Sequence, residues 1–465
     1  MKKSILILVF GMVLFVCCRK TTKELPILKA DKLEIQYVLN DTIINDWYIS
    51  PELNPDILEI NYSPKPTKVK FRTEIDSIEF NINPGDTISF AISMAYGDTA
   101  ITQLIGKLKN VNFSDEYVKK YQGIVSVEIP KVHELANIMI ALTIAGNKDS
   151  KMINKETEYY KTVLRQFSEF KNYPTIDTLN QYITSSEDEQ SIWYNYALRM
   201  NSTGYLLNDS YQIYDDNIIH KIGFPYPEDP FIKFASLFED FAKSIDFNEF
   251  YNQNNEYYNS LILEYYRTTQ IEQMQNWLEK LFGFSYGSYR IIISPLVGTL
   301  HSTRNFEDNG FKQTFMFVNI PSTNKNFNDT VNALLSAKSI FTEIDHNFVN
   351  PTTDKYQREI GAFLQNAEKW LDINNKYAFP YKNNQDAIFN EYMTWALFSL
   401  YCMDNFNNDD SKKVIQEIEK QMIDKRGFLH FKQFNEKLIE IYFQKNEQSI
   451  DQLYNKIIEW CRNQQ

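Results

Sequence analysis

The 465 residues leave room for two or three domains, and a composition of 43% hydrophobic, 15% aromatic and 23% charged side chains excludes disorder over most of the length. Sixty acidic side chains against 48 basic ones give a net charge of −12, so the chain has no overall basic field to neutralise phosphates, and nucleic acid is not an expected partner. Only 14 glycines beside 30 tyrosines and 33 phenylalanines disfavour glycine-dependent nucleotide loops.

In chain order, Lys2 and Lys3 precede an apolar run from Ile5 to Val16, closed by Cys17 and Cys18. The run is too short to span a bilayer and reads as a signal peptide over residues 1–18. A cysteine at its end, followed by the polar segment Arg19 to Glu24, fits lipidation at Cys18, with Cys17 as the small residue before the cut or as the alternative anchor. The expected location is extracytoplasmic, on a bacterial membrane through a lipid anchor. The periplasmic face is favoured over the cell surface, and secretion without lipid is the alternative. Residues 19–128 read as a β-strand module. Val69 and Phe71, then Ile78, Phe80 and Ile82, then Ile88, Phe90 and Ile92 alternate with polar residues, and Pro84-Gly85-Asp86 supplies a turn. Residues 129–282 read as helical: Leu135, Ile138, Met139 and Leu142 fall at helical spacing, and periodic stretches follow at 153–170, 187–199, 231–244 and 250–281. Within 283–465, strand-like runs at Tyr289 to Val297 and Phe315 to Ile320 precede further helices. Ser186-Glu187-Asp188-Glu189 reads as a solvated helix start. Cys402 and Cys461 either pair in an oxidising compartment or stay as buried thiols.

Four patterns bear on chemistry. Gly283-Phe284-Ser285-Tyr286-Gly287 has the G-x-S-x-G spacing of a hydrolase elbow, but a helix precedes it and a strand follows, the reverse of what that elbow requires, so a turn is expected. His133-Glu134-Leu135-Ala136-Asn137 is a zinc-helix pattern with asparagine at the second histidine, and reads as structural. Thr342-Glu343-Ile344-Asp345-His346 has the spacing of H-E-x-x-H, in which residues one turn apart hold zinc and the glutamate takes a proton from the bound water. Here threonine, a weak zinc ligand, replaces the first histidine. Glu391, in Asn390-Glu391-Tyr392 on a later apolar helix, stands where zincins of the glutamate type take their third ligand.

At these residues the chain resembles a family of bacterial lipoproteins of unknown function that carry a gluzincin-like metallopeptidase domain. The resemblance rests on Trp277-Leu278-Glu279-Lys280-Leu281-Phe282-Gly283 leading into Ile291 to Leu296, on Thr342 to His346 continued by Asn347-Phe348-Val349-Asn350-Pro351, and on Asn390-Glu391. It extends to Val69–Phe90 and to the helix His133–Thr143. It implies zinc held by His346 and Glu391 with Glu343 as general base; Thr342 departs from the pattern, and a water held by Thr342, a rearranged Asp345 or His301 would have to compensate. The fold class expected is α+β: a small antiparallel β module, then a mainly helical zincin-like domain whose short antiparallel sheet lies beside the Val331 to Val349 helix. Three readings follow. In the first, favoured because a metal ligand is missing, a degenerate peptidase domain binds a peptide or an envelope protein. In the second, an active zinc peptidase with a compensated site cleaves a peptide laid along an Ile291 to Leu296 edge strand. In the third, the lipoprotein is purely structural and Glu343 and His346 form a buried pair.

Overall fold

The computed structural model describes residues 25–464, apart from 33, 40–41, 49–55, 61–66, 84–85, 96, 98, 107–110, 149–150, 185–190, 217, 220–228 and 445–448. The expected signal peptide with Cys17 and Cys18, the Pro84-Gly85 pair and Ser186 to Glu189 lie outside these residues. No helix among the described residues is long and apolar enough to cross a membrane. The protein is α+β, and its contacts divide it into two compact units, Met1–Lys109 and Asn110–Gln465.

The first unit holds two four-stranded sheets. One runs in the order Ile27–Ala30, Thr87–Met94, Thr99–Gly106, Asp56–Ile60, and the other in the order Thr42–Tyr48, Glu34–Leu39, Thr67–Arg72, Ser77–Ile82. The second sheet is antiparallel throughout. In the first sheet the two outer strands are parallel to their neighbours. The predicted alternation is realised: Thr67, Val69 and Phe71 are buried while Lys68 and Lys70 are not. Strands of both sheets share one core of Leu28, Ile35, Val69, Phe71, Phe90, Ile92 and Leu104. The Phe71 and Phe80 rings each lie 5.1 Å from that of Phe90, within the range of favourable aromatic contact.

The second unit is built around one sheet in the order Ser302–Asp308, Phe311–Asn319, Ser288–Ser294, Ile124–Glu128. Two differences from the sequence reading matter. Ile124–Glu128, read as the end of the β module, pairs here with Ser288–Ser294. The expected edge strand at Ile291 is interior and parallel to both neighbours, so only the Ser302–Asp308 pairing is antiparallel. Interior placement accounts for the run Tyr289, Ile291, Ile292, Ile293, each fully buried, because a parallel strand is covered on both faces. One apolar core runs from Val127 through the helices before the sheet to Cys461. Helical region and C-terminal region therefore fold together.

Two helices position the candidate residues. Asp329–Thr353 starts where the Asn328 side chain accepts from Val331 N at 2.8 Å, and Gln385–Asn405 where Asn384 accepts from Ala387 N at 2.9 Å; both are asparagine N-caps. The second is apolar around most of its circumference and buried from Ile388 to Cys402, save for Asn390. Predicted stretch 250–281 forms three helices, Phe247–Gln253, Asn255–Thr269 and Ile271–Phe282. The last break falls at Gln270, whose φ of 49° is left-handed.

Candidate functional site

Glu343 and His346 lie three residues apart on the Asp329–Thr353 helix and so share a face. The packed Gln385–Asn405 helix brings Glu391 to them: His346 Nε2 stands 3.7 Å from Glu391 Oε1. His346 and Glu391 thus meet in space, and Glu343 lies near enough to Glu391 to feel its charge. Thr342 is turned away from it chemically, since its hydroxyl donates to Ser339 O at 3.1 Å, one turn back on its own helix.

The partner of Glu391 is a cation that the sequence did not single out. Arg426 Nη2 donates to Glu391 Oε2 at 2.5 Å. Two neutral donors complete the carboxylate's shell: Tyr381 Oη to Oε1 at 3.1 Å and Trp395 Nε1 to Oε2 at 3.2 Å. The guanidinium lies 5.0 Å from the Trp395 ring centre and 5.7 Å from that of Phe428, a stacked arrangement that the planar group favours. Glu391 side-chain exposure is 10% and that of Arg426 is 24%, so the pair is largely withdrawn from water. Trp395 sits one helical turn after Glu391, a spacing visible in the sequence. Arg426 follows the π-helical turn Gln421–Lys425 and has no periodic signature.

This arrangement drives the two carboxyls apart in proton affinity. Burial raises Glu343 first, the Glu391 charge raises it further, and Arg426 only partly offsets them, leaving it at about 8. Burial acts on Glu391 in the same direction, but Arg426, His346, Tyr381 and Trp395 together hold it below the ordinary carboxylate value. Of the two carboxyls Glu343 is therefore the one that keeps its proton, because the guanidinium contacts Glu391 directly. Glu343 also pushes up the hydroxyl groups of Tyr196 and Tyr265, after their burial. Mainly protonated near neutrality, Glu343 is poorly suited to take a proton as a general base.

Neither residue considered for repairing the missing ligand joins the cluster. Asp345 is fully buried, both its carboxylate oxygens lack hydrogen-bond partners among the described residues, and burial holds it well above the ordinary aspartate value. His301 is half-buried, with Nε2 inaccessible and unpartnered among the described residues, and falls to about 4 through burial and then the nearby Lys338 cation. No group of three or more His, Cys, Asp or Glu side chains among the described residues is arranged to hold a metal ion.

The remaining patterns are structural. Gly283, with a φ of 75°, caps the Ile271–Phe282 helix, and Gly287 lies so close to Phe311 that a Cβ would stand 2.5 Å from the ring, so the Gly-x-Ser-x-Gly run is a helix-to-strand turn. His133 Nδ1 lies 3.1 Å from Arg199 O and 3.0 Å from Ser202 Oγ, and Asn137 Oδ1 accepts from Arg199 Nε at 2.9 Å. That network ties the Lys131–Leu142 helix to the end of Ser191–Asn201. Cys402 and Cys461 are free buried thiols, both raised by burial.

The two edges of the second unit's sheet differ. Tyr266 Oη closes the Ile124–Glu128 edge, accepting from Val127 N at 2.9 Å and donating to Val125 O at 3.1 Å. No further strand pairs with Ser302–Asp308 beyond Phe311–Asn319 among the described residues. Asn347, next to His346, donates to Thr303 Oγ1 at 2.9 Å and accepts from Asn305 Nδ2 at 3.3 Å, so this edge strand runs beside the Glu343–His346 turn. Comparison with protein-family models, with curated proteins and with solved structures returns no match to the chain.

Proposed function

We propose that this chain is a lipid-anchored envelope protein whose second unit is a metallopeptidase-like domain working without a metal, and that it binds a peptide, or a peptide segment of an envelope protein, along the Ser302–Asp308 edge strand. The reading is carried by the ion pair of Glu391 with Arg426. Zinc needs deprotonated Cys, His or carboxylate donors. Here the Thr342 hydroxyl is engaged with Ser339, Glu391 with a guanidinium, and His346 lies between Glu391 Oε1 at 3.7 Å and Asn350 Oδ1 at 3.3 Å. These residues do not fit a zinc ion, and a fixed cation already occupies the carboxylate that would face it. Binding by strand addition is supported by the Ser302–Asp308 edge, with which no further strand pairs among the described residues, and by Asn347, which links that edge to the helix carrying Glu343 and His346. A lipid anchor at Cys18 belongs to the same reading and rests on the amino-terminal sequence.

The test is metal content by elemental mass spectrometry on the full-length chain, purified in detergent, followed by peptide capture from a defined synthetic library. Neither the native chain nor Thr342→His should carry stoichiometric zinc, because Arg426 still holds Glu391. Thr342→His combined with Arg426→Met should gain about one zinc per chain, lost again with His346→Ala. One zinc in the native chain, removed by His346→Ala, would overturn this reading in favour of an active peptidase. Failure to retain any extended peptide would remove the binding half.

A further inference from the structure

A cavity of about 380 Å³ lies between the first half of the Asp329–Thr353 helix and the end of the Asn408–Lys420 helix. Its charged lining is Lys338, Lys420 and Lys425 against Glu417 alone, a local excess of two positive charges in a chain whose net charge is −12. Lys338 is the inner group. Its ammonium donates to Gln421 Oε1 at 2.5 Å and lies 5.0 Å from the Trp395 ring centre. No carboxylate among the described residues stands within ion-pair distance of it, nor of Lys420 or Lys425. Lys338 is half-buried, and lysine is seldom even partly withdrawn from water without a counter-charge. Burial, and then the Arg426 and Lys425 cations, lower Lys338 to about 8, and Glu417 only partly offsets them. Phe327 supplies an apolar wall, and Ser322 to Asn324 supply polar groups at the mouth.

We propose that this cavity binds a small dianionic oxyanion, a phosphate ester or a dicarboxylate, with Lys338 as its inner contact and the exposed Lys420 and Lys425 at its rim. A dianion matches the excess charge of the lining, and the ammonium groups act on it as point charges. None of Glu343, His346, Glu391 and Arg426 lines the cavity, so this site stands whether or not the second unit binds peptides.

The experiment is calorimetric titration of the full-length chain in detergent with inorganic phosphate and, separately, with succinate, at constant ionic strength and with chloride as the control. Saturable binding of one dianion per chain, absent with chloride, is expected, and the preference between the two probes distinguishes a phosphate ester from a dicarboxylate. Lys338→Met should weaken binding about tenfold or more, the usual cost of losing a charged contact, and Lys425→Ser by less. Absence of saturable binding by both dianions would overturn the proposal, as would unchanged affinity in Lys338→Met. Should Lys338→Met fail to fold, as judged by circular dichroism, Lys425→Ser decides: weakened binding supports the site and unchanged binding overturns it.

Discussion

Replacing Arg426 with methionine tests the electrostatic account of the site. Methionine keeps an apolar stem against Trp395 and Phe428 and removes the charge. Taking one member from a buried pair costs about 3–5 kcal/mol, because the other is left as an uncompensated charge. Glu391 has a way to limit that cost, which is to take up a proton. Its ordinary value is 4.5, so at pH 7 protonation costs about 3 kcal/mol, at roughly 1.4 kcal/mol per pH unit. Tyr381 and Trp395 remain as donors and lower the figure somewhat. The loss should thus be about 3 kcal/mol at pH 7 and below about 1 kcal/mol at pH 5. The sign follows from the native pair: a carboxylate held below its ordinary value contributes stability above that value and loses it as pH falls through the lowered one. Removing Arg426 abolishes that contribution, so variant and native chain converge in acid. Urea unfolding followed by tryptophan fluorescence at pH 5 and pH 8 reads the difference. A loss that is the same at both pH values, or that stays under about 1 kcal/mol at pH 8, would refute the claim that Arg426 neutralises Glu391.

The neighbouring carboxyls should behave in the opposite sense. Glu343, raised from 4.5 to about 8, stays protonated in the fold while the unfolded chain ionises, so it lowers stability as pH rises between those values. Glu343→Gln should therefore stabilise the chain by about 3 kcal/mol at pH 7 and flatten that part of the profile; no gain in the urea midpoint at pH 7 would refute the assignment of the proton. Asp345, raised by burial with no partner for either oxygen among the described residues, should follow the same rule. Asp345→Asn should be more stable than the native chain at neutral pH and indistinguishable from it below the ordinary aspartate value, and a pH-independent difference would show that packing rather than ionisation is responsible. In the folded chain Cys402 and Cys461 should resist a thiol reagent at pH 8 and react fully in denaturant, because both are buried and their thiolates disfavoured; rapid labelling of the native protein would contradict their burial.

Patterns carried by near neighbours in the chain were legible, and those carried by distant ones were not. Alternation exposed the Thr67–Arg72 and Ser77–Ile82 strands because side chains two residues apart face one core. The apolar run at Tyr289 to Ile293 announced a strand, but not that its partner is Ile124–Glu128, where Ser288 Oγ reaches Ile124 O across 164 residues. Parallel pairing leaves no local turn to reveal it. The break at Gln270 was equally silent, since a left-handed φ of 49° at glutamine has none of the glycine that marks such positions.

The same division runs through the site. Glu343 and His346 could be placed on one helical face from spacing alone, and the order of Glu391 behind them matches where it lies, 3.7 Å from His346. The residue that changes what those three can do comes from a non-periodic turn 35 residues beyond Glu391. A motif records which donors share a helix face. It does not record whether the charge meeting them is an ion from solution or a side chain of the protein. Thr342 was the one local sign that the ligand set is incomplete, and Arg426 gives that sign a physical sense: with a guanidinium already on Glu391, a histidine at 342 would bring a third donor to a place where a dication is repelled. That is why Thr342→His alone should leave the chain without zinc and why both changes are needed together, a non-additivity that distinguishes this account from the simple loss of a ligand.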